Sequence, residues 1–531
     1  MSTDLALVSG KVLTMNPSQP SAAAIAVKNG KIVKVGTNED VARYIGKNTK
    51  VIDLKGKAVV PGFIDTHIHV ADFGRFLVWV NLCDVKSIKE LQSRIRKRAK
   101  NVPKGKWIIG HGWDQTRLKE KRFPHLSDLD EASPNNPAII YHQSGRTCVV
   151  NSEALKLAGV TNETTAPLGG MIDTDAKTGK LTGVLRDNAT DLVWKVIPEP
   201  GEEEIMEAVG LACEKIVEAG VTSIHWMLSS ATELPIIQRL LVKSELPLRI
   251  YIIIPVNLLK NGTLSGLPKD RNGSFVRMGG VEISADGYLS AKTAALFQPY
   301  SDDPATSGRL ACTQEQMNAL AAMIHEACLQ LVIHATGDKA IDAALATVEQ
   351  TSKDAQGKDL RCRIEQGALL NKELLQRMKK QNIIVSVQPR VIASEFSVWS
   401  APNHLGPKRA RWLYPLQKLL RESIKVVGGS DCPMEPLSPL LGIQAAVTRE
   451  SFPQECITVD EALRIYTVDA AYSSSEEGIK GSIEEGKLAD LTVLSCDPRA
   501  VPPSKIDDVK VRMTIVGGKV VYPKPFSSSK C

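Results

Sequence analysis

Short apolar runs broken by turn residues occupy both ends of the chain, and strand-like runs alternating with helical patterns occupy the middle. Near the N-terminus, Leu5-Ala6-Leu7-Val8, Lys11-Val12-Leu13-Thr14-Met15 and Ala24-Ile25-Ala26-Val27 read as strands. Asn29-Gly30 before Lys31-Ile32-Val33-Lys34-Val35 predicts a tight hairpin. Comparable strands recur only at residues 490–494, 511–516 and 519–522. Two β-rich ends predict a small β-sandwich built from residues 1–58 and 476–531.

The middle reads differently. Apolar strands are predicted at 59–69, 220–226, 248–254, 280–286, 331–334, 363–366, 383–387 and 424–431, with helical patterns such as 317–329 and 373–380 between them. Eight strands with intervening helices predict a (β/α)₈ TIM barrel over residues 59–475, in the α/β class. The stretch from about 75 to 215 separates the first two strands. It is too long for a loop, so an inserted lobe is expected, placed to cap the barrel mouth.

Composition changes this picture little. The 531 residues carry 66 Lys and Arg against 59 Asp and Glu, a formal net charge of +7, which is a mild excess over this length. The densest basic run, Lys86 to Lys106, has helical spacing through Ile88, Leu91 and Ile95. It predicts a solvated helix face and no nucleic-acid partner. The ten cysteines contain no Cys-x-x-Cys pair, which argues against a thiolate zinc site and for reduced thiols. No basic leader precedes an apolar core at Met1-Ser2-Thr3-Asp4, and no apolar run reaches membrane-spanning length. A cytoplasmic protein without a membrane partner is the expectation, with a homodimer as the default assembly.

Candidate chemistry clusters at the predicted C-terminal ends of the barrel strands, where a barrel places its functional groups. Strand one ends in His67-Ile68-His69, whose imidazoles share a face because strand side chains alternate. Strand five ends in His334 and strand eight in Asp431. Three imidazoles and a carboxylate suit Zn²⁺ with a position left for water, and Asp431 is placed to take that water's proton. Strand four offers Glu282 as a further ligand or an acid/base group. Asp286, on the same face, is a candidate substrate contact or turn cap. His111 and His142 in the lobe are candidate substrate contacts.

These residues resemble the amidohydrolase superfamily of metal-dependent hydrolases. The resemblance rests on Pro61-Gly62-Phe63-Ile64-Asp65-Thr66-His67-Ile68-His69, Gly429-Ser430-Asp431 and Gly486-Lys487-Leu488-Ala489-Asp490-Leu491. Gly110-His111-Gly112-Trp113-Asp114, Asn151-Ser152-Glu153-Ala154-Leu155, Ala285-Asp286-Gly287, His334-Ala335-Thr336-Gly337-Asp338 and Pro439-Leu440-Leu441-Gly442 are similar to the branch that includes N-substituted formamide deformylase. The resemblance implies a barrel with a β-sandwich from both termini and hydrolysis of a non-peptide C–N bond in an amide or ring. It also implies metal ligands at His67, His69, Glu282, His334 and Asp431.

Three positions depart from that branch. Glu282 stands where a lysine is usual, Gln366 where strand six usually ends in histidine, and Arg146 where the lobe usually has a histidine. A neutral Gln366 weakens a second metal position. One divalent ion, zinc by preference, is therefore expected, with a second weak ion as the alternative. Gln366 becomes a candidate substrate contact. Arg146, and less directly Arg186, suggests a small-molecule substrate bearing an anionic group, with a salt bridge inside the lobe as the alternative. Two other functions stay open at this point: deamination of a heterocyclic base, with Glu282 or Glu365 as acid, and a catalytically silent homologue that binds without turnover.

Overall fold

The structure is a computed structural model, and it describes residues 3–145, 147–243, 245–260, 274–354, 359–397 and 401–524. The chain divides into two compact units, Met1–Ala71 with Ala212–Cys531, and Asp72–Leu211.

The first unit holds the predicted barrel. Its strands are β1 (Phe63–Ile68), β2 (Val221–Met227), β3 (Arg249–Pro255), β4 (Val276–Ser284), β5 (Gln330–Ala335), β6 (Arg363–Gln366), β7 (Ile384–Val387) and β8 (Lys425–Gly428). They form one eight-stranded sheet, each strand parallel to its sequence neighbour. The ring closes just past β8. Ile68 bridges Cys432 in parallel fashion, the Asp431 N–H donates to the His67 carbonyl at 2.8 Å, and the His69 N–H to the Cys432 carbonyl at 3.0 Å. All six residues of β1 are buried, as expected for a strand covered on both faces.

β4 starts at Val276, earlier than the apolar pattern predicts. Arg277 and the Gly279-Gly280 pair interrupt that pattern. The structure accommodates them in a specific way: the Arg277 guanidinium lies over the Tyr251 ring at 4.7 Å and donates to the Ser474 carbonyl. A Cβ on Gly279 would fall 2.0 Å from the same ring.

Two further sheets complete this unit. One is four-stranded, from Leu5–Val8, Ala24–Lys28, Lys31–Gly36 and Lys50–Asp53. The other is six-stranded and joins the chain ends: Ala58–Pro61 pairs antiparallel with Leu491–Leu494, which pairs with Val511–Val516. Their shared core draws Leu7, Ile25, Val59, Leu491 and Ile515 together.

The second unit is a six-stranded sheet running in the order Gly170–Thr174, Leu181–Asp187, Thr147–Val150, Ala138–His142, Ile108–Trp113, Val80–Asn81. The basic run forms the helix Ile88–Lys100, capped by Ser87. Leu91 and Ile95 are buried while Lys97, Arg98 and Lys100 face solvent. Among the described residues no helix is long and apolar enough to cross a membrane.

One buried ion pair ties the barrel to the C-terminal strands. Arg249 Nε on β3 lies 2.6 Å from Asp490 Oδ2, both side chains about 5% exposed or less, and Asp490 Oδ1 accepts the Gly517 N–H at 2.7 Å. Removing one buried partner strands the other charge. Arg249→Ala is expected to lower stability by about 3–5 kcal/mol in urea unfolding. Pairing Arg249→Met with Asp490→Leu is expected to restore most of that loss.

Candidate metal centre

The closure of the barrel builds the centre. The β1–β8 seam carries His67 and His69 on one side and Asp431 on the other. The two rings stand edge to face, 5.4 Å between centroids and 75° between planes. Asp431 Oδ1 lies 3.5 Å from His67 Nε2 and 3.6 Å from His69 Nε2. One donor atom from each residue falls within 4.8 Å of the others. Two ligand atoms about 2.1 Å from a shared tetrahedral ion are about 3.4 Å apart, so the two spacings from Asp431 to the histidines match those of an N,N,O set for zinc. His69 Nδ1, by contrast, is buried with no hydrogen-bonding partner among the described residues.

Close backbone approach makes the seam this tight. A Cβ on Gly429 would lie 2.6 Å from the His67 nitrogen and 2.7 Å from its Cβ. Asp431 itself has φ +58°, a strained backbone for a non-glycine residue that turns its carboxylate toward the histidines. Asp65 on β1 reinforces the turn, its Oδ1 accepting the His67 N–H at 3.1 Å and the Ser430 N–H at 2.9 Å. Burial pushes the Asp65 carboxyl up to about 6, against the pull of those two amides.

A buried charge chain underlies the histidines. Glu365 on β6 meets His67 Nδ1 at 2.7 Å and pairs with Arg363, all three being almost wholly buried. Arg363 also donates to His225 Nδ1 at 2.7 Å, to Ser386 Oγ at 3.0 Å and to the Thr66 carbonyl. Burial favours a neutral Glu365, yet Arg363 and His67 overcome it and hold the carboxyl near 2. For His67 burial likewise opposes charge, but Glu365, then Asp431 and Glu282, raise it to about 9. His225 is the acceptor at the foot of this chain, and burial followed by the charge of Arg363 keeps it well below its ordinary value. The Glu365 contact leaves His67 Nε2 as the atom that faces the centre.

The remaining expected residues separate into two groups. Glu282 and His334 stand around the triad without joining it: Glu282 contributes charge at His67, and His334 at Asp431. His334 Nε2 is 3.4 Å from Thr336 Oγ1, and its ring meets Tyr288 edge-on at 5.4 Å. Gln366, with φ +67°, is a clamp. Its Nε2 donates to Asp431 Oδ2 at 3.4 Å, and its Oε1 accepts from the Tyr414 hydroxyl at 3.2 Å.

Asp286 takes the second of its two expected roles, capping backbone amides and organising loops. Its two oxygens accept the N–H groups of Thr336, Ala295 and Gly337 at 2.8–2.9 Å, which ties the β4 and β5 loops together. Arg186 forms the alternative, a salt bridge inside the lobe: it forks onto Asp173 at 2.6 Å and stacks on Phe123. Arg146 lies outside the described residues.

Both lobe histidines belong to the second unit. His142 bonds Ser144 Oγ at 2.9 Å and packs edge-on against Trp113. His111 packs on Phe76 at 4.1 Å, and burial lowers it below its ordinary value.

A sequence model of the Amidohydrolase family matches residues 50–522. The chain belongs to the amidohydrolase family. It is 30% identical over 530 residues to the amidohydrolase YtcJ of Bacillus subtilis, covering 97% of this chain and 98% of that one. It is 27% identical to N-substituted formamide deformylase of Arthrobacter pascens, covering 98% of each chain. The crystal structure of an uncharacterized metal-dependent hydrolase from Pyrococcus furiosus superposes with a TM-score of 0.78 at 30% identity, covering 93% of this chain and 99% of that one.

In this amidohydrolase the roles of Glu365 as anchor of His67 and of Arg363 as its partner go beyond what the sequence alone suggests. The available signal was two opposite charges two residues apart in a strand that must be buried on both faces. Such charges require each other and a further partner. Glu365→Gln leaves the buried Arg363 charge unpaired, so it is expected to cost about 3–5 kcal/mol in urea unfolding and, in the folded protein, to weaken zinc binding about 10–100-fold, measured by competition with a chromophoric chelator.

Proposed function

We propose that the protein hydrolyses a non-peptide C–N bond of a small molecule, an amide or cyclic amide, with one divalent ion held at His67, His69 and Asp431. The Asp431 carboxylate within bonding range of both imidazoles carries this reading. Glu282 and His334 are the residues proposed to complete the ion's surroundings. The ion, zinc by preference, supplies an electrophile for the carbonyl and acidifies water at neutral pH.

The chain's own groups then divide the work. Asp431 accepts a proton from the attacking water and delivers it to the leaving nitrogen, so the nitrogen departs as a neutral amine. Gln366, itself fixed by Tyr414, steers Asp431 Oδ2 and leaves Oδ1 toward the histidines. Glu365 holds the His67 ring in place. The name of the formamide deformylase relative supports an open-chain amide as well as a ring. Glu365 is occupied by Arg363 and His67, which leaves Glu282 as the acid that a deaminase reading would require.

Elemental analysis of the purified protein is expected to find about one metal ion per chain. Asp431→Asn is expected to cut kcat on any amide that the wild type turns over by at least about 10³-fold, with unchanged circular dichroism. Absence of metal, together with no turnover across an amide panel after zinc or manganese addition, would reject the proposal. Release of ammonia from ring amines with no amide cleavage would replace it with deamination.

A further inference from the structure

Beside the centre stands one side chain that the chemistry above does not use. Tyr288 lies four residues past the end of β4, in a loop closed on itself. Its N–H donates to Thr293 Oγ1 at 3.0 Å, and its carbonyl accepts the N–H groups of Thr293 and Ala294 at 3.1 and 3.2 Å. Gly287 fits against the same threonine because it has no Cβ, which would fall 2.1 Å from Thr293 Oγ1. Asp286 ties the two ends of the loop together through the Ala295 N–H at 2.8 Å. Backbone bonds therefore fix where Tyr288 sits, with no contribution from its own hydroxyl.

The side chain is open to a ligand. Tyr288 is 56% exposed, and its ring stands edge-on to His334, 5.4 Å between centroids and 71° between planes. The hydroxyl end lies in a recess of the same surface: burial, then the charges of Asp431, Glu282 and Asp286, raise it above its ordinary value. These carboxylates stand at or beside the centre, so the hydroxyl lies on that side of the ring. All hydrogen bonds of Tyr288 among the described residues run through its backbone, which leaves the O–H uncommitted.

The other neutral donors around the centre are committed. Gln366 Nε2 faces Asp431, and the Tyr414 hydroxyl is given to Gln366. Thr336 Oγ1 lies 3.4 Å from His334 Nε2, and Ser284 Oγ donates to the Asp286 carbonyl at 3.1 Å. The Thr336 and Gly337 N–H groups are held by Asp286. An oxygen that gains negative charge near Asp431 and Glu282 is repelled by both carboxylates. A fixed donor aimed at such an oxygen is worth most where charge develops during the reaction.

We propose that the Tyr288 hydroxyl donates a hydrogen bond to the oxygen of the scissile carbonyl and stabilises the charge that builds there as water adds. This role rests on the hydrolase reading above. As the water oxygen bonds to the carbonyl carbon, the π pair of the C=O bond moves onto the carbonyl oxygen, and Asp431 takes the water's proton. Tyr288 keeps its own proton and shares it. When the C–N bond breaks, that pair returns to the C=O bond, and the nitrogen keeps the C–N pair and receives the proton from Asp431.

Tyr288→Phe keeps the ring against His334 and removes only the O–H. For an amide that the zinc-loaded wild type hydrolyses, the variant is expected to lower kcat about 10²-fold and leave KM within about threefold. Zinc affinity by chelator competition and the unfolding midpoint are expected to stay at wild-type values, because the hydroxyl holds nothing else in place. Methylphosphonate, a tetrahedral oxyanion, is a probe that needs no turnover. Calorimetric titration is expected to show it binding the zinc-loaded variant at least about tenfold more weakly than wild type. A kcat within about twofold of wild type, or unchanged methylphosphonate binding, would overturn the role. A loss of kcat matched by a loss of zinc affinity would overturn it as well, by making Tyr288 a support for His334. If wild type hydrolyses no amide, the hydrolase reading fails by itself, and the methylphosphonate titration still decides whether Tyr288 is a donor at the centre.

Discussion

Two backbone hydrogen bonds, Asp431 N–H to the His67 carbonyl and His69 N–H to the Cys432 carbonyl, close the ring of strands and position the candidate centre in the same act. The three donor residues come from opposite ends of the barrel sequence, more than 360 residues apart, and only closure brings them within bonding range. Folding and site assembly are therefore one constraint. A seam loose enough to admit a side chain at Gly429 would displace His67 by its own backbone. The left-handed conformation of Asp431, with strain of about 1–3 kcal/mol, is held by that seam and by the Asp65 carboxylate bonded across it.

Below the seam the barrel interior is unusually charged for a packed core. Arg363, Glu365 and His67 are taken out of water together, which is costly unless each charge faces an opposite one. The sequence Arg363-Ile364-Glu365 meets that requirement by putting both charges on the inward face of one strand. His225, kept well below its ordinary value, then accepts from Arg363 without adding a further cation. The chain of contacts gives His67 a fixed orientation with Nε2 toward Asp431. A histidine anchored only by packing would be free to turn its ring.

The barrel was legible in the sequence because its signal is local: apolar strands bounded by turns and spaced by helical periods. The register of β4 was not, since Arg277 and Gly279 fit only through the Tyr251 ring, a long-range contact that no window of sequence contains. The same division runs through the site. His67 and His69 were legible as a pair because one residue's spacing fixes their common face. Asp286 stayed open between substrate contact and turn cap because a strand-end carboxylate looks alike whether it faces a ligand or three backbone amides.

Gln366 shows how a neutral residue reshapes the centre around it. An imidazole there could bind a cation; an amide offers an N–H to Asp431 and an oxygen to Tyr414. Its donor faces one carboxylate oxygen while the two histidines face the other, so the two oxygens of Asp431 have distinct surroundings. That inequality suits a group that must hold an ion with one oxygen and carry a proton with the other.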